Sequence, residues 1–80
     1  MSDKPRLGFL GTGWIGRHRM EAMLATGLVD AGAIVDPSAE MRAEAAALAP
    51  DAATVDTIDE LLTQDLDGLV IALLFYYFFL

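Results

Sequence analysis

The sequence contains no cysteine and few basic side chains, and each shortage excludes a class of protein. Its 80 residues include five lysines and arginines against twelve aspartates and glutamates, which gives a net charge of −7. Without cysteine there is neither a disulfide framework nor a thiolate zinc site, so we expect a reducing compartment, the cytoplasm. The acidic balance argues against nucleic acid as a partner, because phosphate backbones are bound by basic surfaces.

A long hydrophobic run is also lacking. Residues 1–6 have no apolar core of the kind found in a signal peptide. Residues 69–80 contain no charged side chain, but a membrane-spanning helix needs roughly 17–25 residues, so we expect no membrane span. A hydrophobic content of 55% is too high for a disordered chain. The length allows one small domain.

Basic residues are confined to the first half of the chain. Residues 1–42 hold five basic and five acidic side chains, which sum to zero, and every residue charged after Arg42 is acidic. The first half could therefore hold an anion without a large repulsive field. The alternative is that the acidic side chains simply cover helices and loops.

Short apolar runs alternate with segments of helical periodicity. We predict strands at residues 7–10, 28–35, 53–55 and 69–72, and helices over 14–26, from Ser38 to Pro50, and after the capping box Thr57-Ile58-Asp59-Glu60. The last helix is expected to bury Ile58, Leu61 and Leu62. This alternation predicts an α/β fold, an incomplete Rossmann fold with a four-stranded parallel sheet of order 3-2-1-4 and three crossover helices. Residues 1–80 then form a single, partial domain.

A glycine-rich turn lies between the first predicted strand and the first helix. Gly11, Gly13 and Gly16 fit G-x-G-x-x-G, in which the first glycine allows a tight turn, the second lets a pyrophosphate approach the backbone, and the third lets the helix pack closely. The amides of Gly13, Trp14 and Ile15 would face the anion, assisted by the helix dipole. The motif alone occurs by chance in about one such chain in twenty, so its context carries the prediction.

An acidic residue ends the second predicted strand. Asp36 lies 20 residues after Gly16, where a carboxylate is expected to meet the ribose hydroxyls of a dinucleotide. No arginine follows it directly, and Arg42 lies a turn or more into the next helix, so NAD is favoured over NADP. The candidate cofactor-binding residues are Gly11, Thr12, Gly13, Trp14, Ile15, Gly16 and Asp36. A glycine turn that serves packing alone is the alternative.

These residues support a resemblance to a known family. The segment from Arg6 to His18, Val35-Asp36-Pro37, Ile58-Asp59-Glu60-Leu61-Leu62 and residues 67–72 together resemble the Gfo/Idh/MocA oxidoreductases, the glucose–fructose oxidoreductase and inositol dehydrogenase family. The resemblance covers residues 6–72. It implies an N-terminal Rossmann domain that, in a full-length protein, helps transfer hydride between NAD(P) and the alcohol carbon of a sugar, a polyol or a related compound.

The resemblance stops at Leu73. Where the family continues with a Thr-Pro pair and a histidine, residues 73–80 are wholly apolar. Catalytic residues of the family lie further downstream, so none carries over. The change at Leu73 suggests a fragment produced by truncation, a frameshift or excision.

Other candidates for chemistry are weaker. His18 is the single histidine, too few for a metal site, and we expect none. Asp59 and Glu60 are adjacent on a helix and do not face each other, so capping explains them better than acid–base catalysis.

Two alternatives to a dehydrogenase fragment stay open. One is a non-catalytic nucleotide-binding regulatory module. The other is an inert fragment that self-associates through an open sheet edge or through residues 73–80, because the predicted topology leaves one face and the edge of the fourth strand partly uncovered.

Overall fold

The computed structural model describes residues 4–72, which form four strands and three helices. In chain order the elements are β1 (Arg6–Leu10), α1 (Trp14–Ala25), β2 (Asp30–Val35), α2 (Ala39–Ala46), β3 (Ala53–Val55), α3 (Ile58–Leu61) and β4 (Gly68–Ile71). None of the helices in this part of the chain combines the length and apolar character needed to cross a bilayer.

The strands form one parallel sheet in the order β3-β2-β1-β4. The central strand β1 pairs with both β2 and β4, and Leu10 at its end lies opposite Val35 and Ile71. All carboxyl ends of the strands therefore meet at one edge of the sheet. This confirms the predicted α/β fold and strand order.

Each face of the sheet has its own apolar cluster. On one face, Phe9 and Ile34 pack with Met20 of α1 and Ala45 of α2. The cluster on the other face gathers around Leu61 of α3 and contains Leu10, Ala33, Val35 and Val55. Burial of these side chains is the main favourable contribution to folding.

Two glycines on adjacent strands make room for a leucine from the loop before β4. A Cβ on Gly8 would lie 2.8 Å from a methyl carbon of Leu66, and one on Gly32 would lie 2.7 Å from its other methyl carbon. Gly32 is the extra residue where the β1–β2 register shifts, between the partners of Leu7 and Gly8. The side chain of Leu66 thus fits against the sheet where both strands lack side chains.

Some predicted boundaries and burial assignments are wrong. β2 begins at Asp30, two residues later than predicted. α2 ends at Ala46, well before Pro50, because amides of Leu48 and Ala49 bond to carbonyls three residues back and tighten the chain into turns.

Helix α3 buries one apolar side chain instead of three. Leu61 is fully buried, whereas Ile58 is 50% and Leu62 is 62% exposed. A helix of four residues makes one turn, so a single position faces the sheet.

Strand β4 lies at an edge of the sheet and is only half covered. Leu69 and Ile71 are exposed, while Val70, on the opposite face, packs beside the cluster of α1 and α2. Among the elements that the structure describes, the short α3 is the one that packs on the face of Leu69 and Ile71, and it is too short to cover them. The expectation that the chain self-associates through residues 73–80 concerns a segment outside the described residues.

Candidate functional site

The turn from β1 to α1 begins with a glycine that the backbone requires. Gly11 has φ +86°, a conformation that side-chain-bearing residues rarely adopt. Its amide donates to the carbonyl of Val35 at 3.1 Å, which fixes the turn to the end of β2. The chain therefore leaves the sheet at the edge where the strands end.

The last glycine of the motif is required by packing. A Cβ on Gly16 would lie 2.0 Å from the carbonyl oxygen of Gly11 and 3.3 Å from the Cβ of Ala72. No side chain fits in that space. The first turn of α1 consequently lies directly against the glycine turn.

Neither the backbone conformation nor the packing requires the middle glycine, Gly13. Gly13 is the N-cap of α1 with φ −65° and ψ −173°, which any residue adopts, and a Cβ added there would meet no atom within 4 Å. The space beside Gly13 is open and lies next to the first amides of α1. A side chain at this position would fill that space.

Helix α1 also differs from the other two helices at its start. The hydroxyl of Ser38 accepts from the amide of Met41 in α2, and the hydroxyl of Thr57 accepts from the amide of Glu60 in α3. No side chain caps α1, and its first turn holds no acidic residue. Because the first amides of a helix lack intrahelical partners, those of α1 remain available to an anion from outside.

Asp36 lies beside this turn, as its position after β2 predicts. The residue is 8% exposed. Its Oδ2 accepts from the amide of Thr12 at 2.9 Å and from the Thr12 hydroxyl at 3.3 Å, and its Oδ1 accepts from the amide of Ser38 at 2.8 Å. One carboxylate thus holds the glycine turn against the loop that starts α2.

The structure gives Thr12 a role that the motif alone did not show. Thr12 is fully buried, and its backbone amide and its hydroxyl both donate to the carboxylate of Asp36. A small hydroxyl residue between two glycines, followed by an acid at the end of the next strand, is the signal that could have identified the pair.

Arg42 lies nearer to this site than its sequence position suggested. Its Nη1 donates to the backbone carbonyl of Asp36 at 2.6 Å. Arg42 does lie in α2, as expected, but its side chain extends back along the helix toward the N-terminus and so reaches the end of β2.

The remaining motif side chains lie at the surface. Trp14 is 68% and Ile15 is 47% exposed. The Trp14 ring packs edge-on against His18, with the ring centroids 4.4 Å apart. Neither side chain belongs to the core, so what these two residues offer to a ligand is their backbone amides and an exposed apolar surface.

Other charged groups near the site have structural partners. Arg17 of α1 forms an ion pair with Glu44 of α2. A hydrogen bond with the Asp56 side chain raises the pKa of Glu60, whose amide is the one capped by Thr57. Within residues 4–72 no group of three or more acidic or histidine side chains could hold a metal ion.

Among known proteins, the ones that match this chain are solved structures. No protein-family model matches the sequence, and no curated protein matches it. Solved structures do match. The WlbA dehydrogenase from Bordetella pertussis, in complex with NADH and UDP-GlcNAcA, is 28% identical with a TM-score of 0.77, covering 88% of this chain and 22% of that one.

Two further dehydrogenase structures agree. GenD2 from gentamicin A biosynthesis, in complex with NAD, is 26% identical with a TM-score of 0.78 over 91% of this chain and 21% of its own. A myo-inositol dehydrogenase from Corynebacterium glutamicum is 28% identical with a TM-score of 0.78, over 89% of this chain and 21% of its own. This chain has the Rossmann fold of the Gfo/Idh/MocA-type dehydrogenases.

The match covers only a small part of each Gfo/Idh/MocA-type dehydrogenase. The chain spans about a fifth of the length of these three structures. Activity on a substrate is a property of proteins several times longer than this one.

Proposed function

We propose that this chain is the dinucleotide-binding part of an oxidoreductase and that its cofactor is NAD. The observation that supports this most directly is Gly13, where neither the backbone conformation nor the packing requires glycine. An open space beside uncapped helix amides suits a diphosphate that must approach the main chain closely. Two of the structural neighbours were solved with NADH or NAD.

The proposed binding divides between the two ends of the site. The amides of Gly13, Trp14 and Ile15 would receive the diphosphate, assisted by the positive end of the α1 dipole. Asp36 would accept from the hydroxyls of the adenosine ribose. Although its oxygens already accept from Thr12 and Ser38, a carboxylate offers about four acceptor positions, so a ribose hydroxyl can still be bound.

The cofactor would supply the chemistry, which is the donation or acceptance of a hydride. In a full-length protein we propose hydride transfer between NAD(P) and a sugar-like or polyol substrate, a class to which myo-inositol, the substrate named for one neighbour, belongs. The residues of this chain bind and orient; none of the proposed site residues is assigned a catalytic role.

The first test replaces Gly13 with valine. We expect Gly13→Val to abolish NADH binding in calorimetric titration, because the branched side chain fills the space beside the helix amides. The melting curve should change little, because the added carbons meet no atom and loss of a glycine N-cap is worth about 1 kcal/mol.

The matched control adds the same side chain to the same helix. Ala22 is exposed on α1, away from the turn, so Ala22→Val should bind NADH as the unmodified chain does. Equal NADH affinity in Gly13→Val and in the unmodified chain would contradict the proposed site.

NADH titration also distinguishes the two alternatives, an inert fragment and a regulatory module. An inert fragment would bind no NADH and would aggregate with concentration regardless of cofactor. A regulatory module would bind NADH, and that binding would change its affinity for a partner protein. For the proposed oxidoreductase part and for a regulatory module alike, the absence of cysteine supports a reducing compartment such as the cytoplasm.

A further inference from the structure

A cavity of about 380 Å³ lies at the amino ends of β1 and β2, at the edge of the sheet opposite to the glycine turn. Its floor is the outer part of the apolar cluster of α1 and α2, where Leu24, Leu48 and Ala52 are half-buried. Small-molecule sites in proteins have volumes of roughly 300–1,000 Å³. The cavity is therefore large enough to hold a small ligand.

Charged side chains of opposite sign stand at the two ends of this cavity. Arg6 opens β1, and Asp51 lies two residues before the start of β3. Since β2 lies between β1 and β3, and neighbouring strands are about 4.8 Å apart, the two positions are separated by about 10 Å. Lys4 and Asp30 also line the cavity, and each already takes part in an interaction. The cavity thus has a basic end and an acidic end above an apolar floor.

The charges of Arg6 and Asp51 are not used by the fold. Within residues 4–72 the ion pair present joins Arg17 to Glu44. The Nε of Arg6 donates to the carbonyl oxygen of Asp65 at 3.1 Å, which holds the side chain in place and leaves the other donors of its guanidinium. The carboxylate of Asp51 is exposed and accepts no hydrogen bond from the described part of the chain. Both groups can therefore bind to a ligand.

The end of α2 adds to the negative character around Asp51. The helix ends at Ala46, and its last turn holds no basic residue. The carboxyl end of a helix carries a partial negative charge from carbonyl groups that lack intrahelical partners, which favours a cation nearby. Because residues 48–52 follow this helix end and line the cavity, the acidic end of the cavity suits a positively charged group.

We propose that this cavity binds an aliphatic zwitterion, a small molecule with a carboxylate at one end, an ammonium group at the other and an apolar chain between them. The ligand carboxylate binds to the guanidinium of Arg6, and the ammonium group binds to the carboxylate of Asp51. A ligand with a single charge leaves one end of the cavity unmatched. The cavity shares no residue with the proposed dinucleotide site, so this inference goes beyond the proposed function and does not depend on it.

The experiment titrates the full chain with three probes that share one aliphatic chain, namely 8-aminooctanoate, octanoate and octylammonium, and follows the backbone amides by NMR. We expect 8-aminooctanoate to bind about tenfold more tightly than either of the other two, as one additional charge-assisted hydrogen bond implies. The amides that shift should be those of residues 24–31 and 48–52, which surround the cavity.

Two variants assign the two ends. Asp51→Asn should lower the affinity for 8-aminooctanoate about tenfold and leave that for octanoate unchanged, because it removes the acidic end alone. Asp59→Asn is the matched control, since it removes the same charge from an exposed position on α3 and should change neither affinity. Arg6→Gln should weaken binding of both carboxylates and not of octylammonium. If Arg6→Gln unfolds, the pair of aspartate variants still decides the question.

Four results would overturn the proposal. They are no binding of 8-aminooctanoate, equal affinity for the three probes, an Asp51→Asn variant that binds as the unmodified chain does, and amide shifts confined to α3 and β4. Displacement of 8-aminooctanoate by NADH would also contradict a separate site. A chain that binds 8-aminooctanoate in this cavity but binds no NADH would refute the proposed function and leave this inference standing.

Discussion

At the scale of single residues, the three glycines of the G-x-G-x-x-G motif differ in whether the fold requires glycine there and why. Gly11 is required by its positive φ, Gly16 by contact with the Gly11 carbonyl, and Gly13 by neither. Mutations at these positions therefore separate effects on folding from effects on the proposed cofactor binding. The same reasoning applies to Asp36, whose removal would release the amides of Thr12 and Ser38 as well as any ribose contact.

Gly16→Ala provides the stability half of that separation. We expect a loss of about 3 kcal/mol in the free energy of unfolding, at the upper end of overpacking effects, because the clash is with backbone rather than with a flexible side chain. Chemical denaturation followed by circular dichroism measures it. A midpoint equal to that of the unmodified chain would show that the turn moves away without penalty.

The sequence predicts this motif well and its partners less well. Spacing identified the turn and Asp36, because a strand, a turn and a helix impose fixed distances along the chain. The Thr12 hydroxyl bonds and the reach of Arg42 depend on side-chain rotamers and on how α2 sits over the sheet. The spacing of residues along the chain determines neither the rotamers nor the position of α2.

At the scale of secondary-structure elements, the helices differ in what starts them. α2 and α3 begin with hydroxyl caps, whereas α1 begins with glycine. Capping signals predicted the starts of α2 and α3 accurately. The end of α2 and the burial of α3 were predicted poorly, because both depend on tertiary packing rather than on neighbouring residues.

The start of α3 should give the protein a local pH dependence. The hydrogen bond with Asp56 raises the pKa of Glu60 above its ordinary value of 4.5 in the folded state, so the folded chain binds a proton there more tightly than the unfolded chain does. This contribution to stability is present at low pH and is lost as the pH rises from about 4.5 through the raised pKa. The effect is small because Glu60 is exposed.

Asp56→Asn tests this contribution. The amide can donate to Glu60 where the carboxyl group repelled its ionised form, so the pKa of Glu60 should return toward its ordinary value. The difference in unfolding free energy between Asp56→Asn and the unmodified chain should therefore increase as the pH rises above 4.5. A difference that stays constant with pH would exclude the Asp56–Glu60 pair as the cause.

At the scale of the whole molecule, the two faces of the sheet are unequally covered. α1 and α2 cover one face, and α3 covers part of the other, which leaves Leu69 and Ile71 of β4 43% and 59% exposed. The sequence predicts this imbalance from strand order and helix length. An exposed apolar strand at a sheet edge favours association between copies.

Ile71→Lys tests whether this surface drives self-association. We expect a lower apparent mass by light scattering at high protein concentration, because a charge on the exposed face opposes contact between copies. The fold should persist, since the side chain of Ile71 lies largely in solvent. Thr54→Lys on β3, also exposed, is the matched control, and equal association in both variants would place the cause elsewhere in the chain.

The contact of Leu66 with Gly8 and Gly32 links three positions that are far apart in sequence. Enlarging either glycine displaces the leucine methyl groups, and a smaller side chain at Leu66 would leave a gap against both strands. The loop that delivers β4 to the sheet is therefore adjusted to the bare stretch of the two neighbouring strands. We therefore expect the stability lost by enlarging Gly8 or Gly32 to be smaller in a chain that also carries a smaller side chain at Leu66.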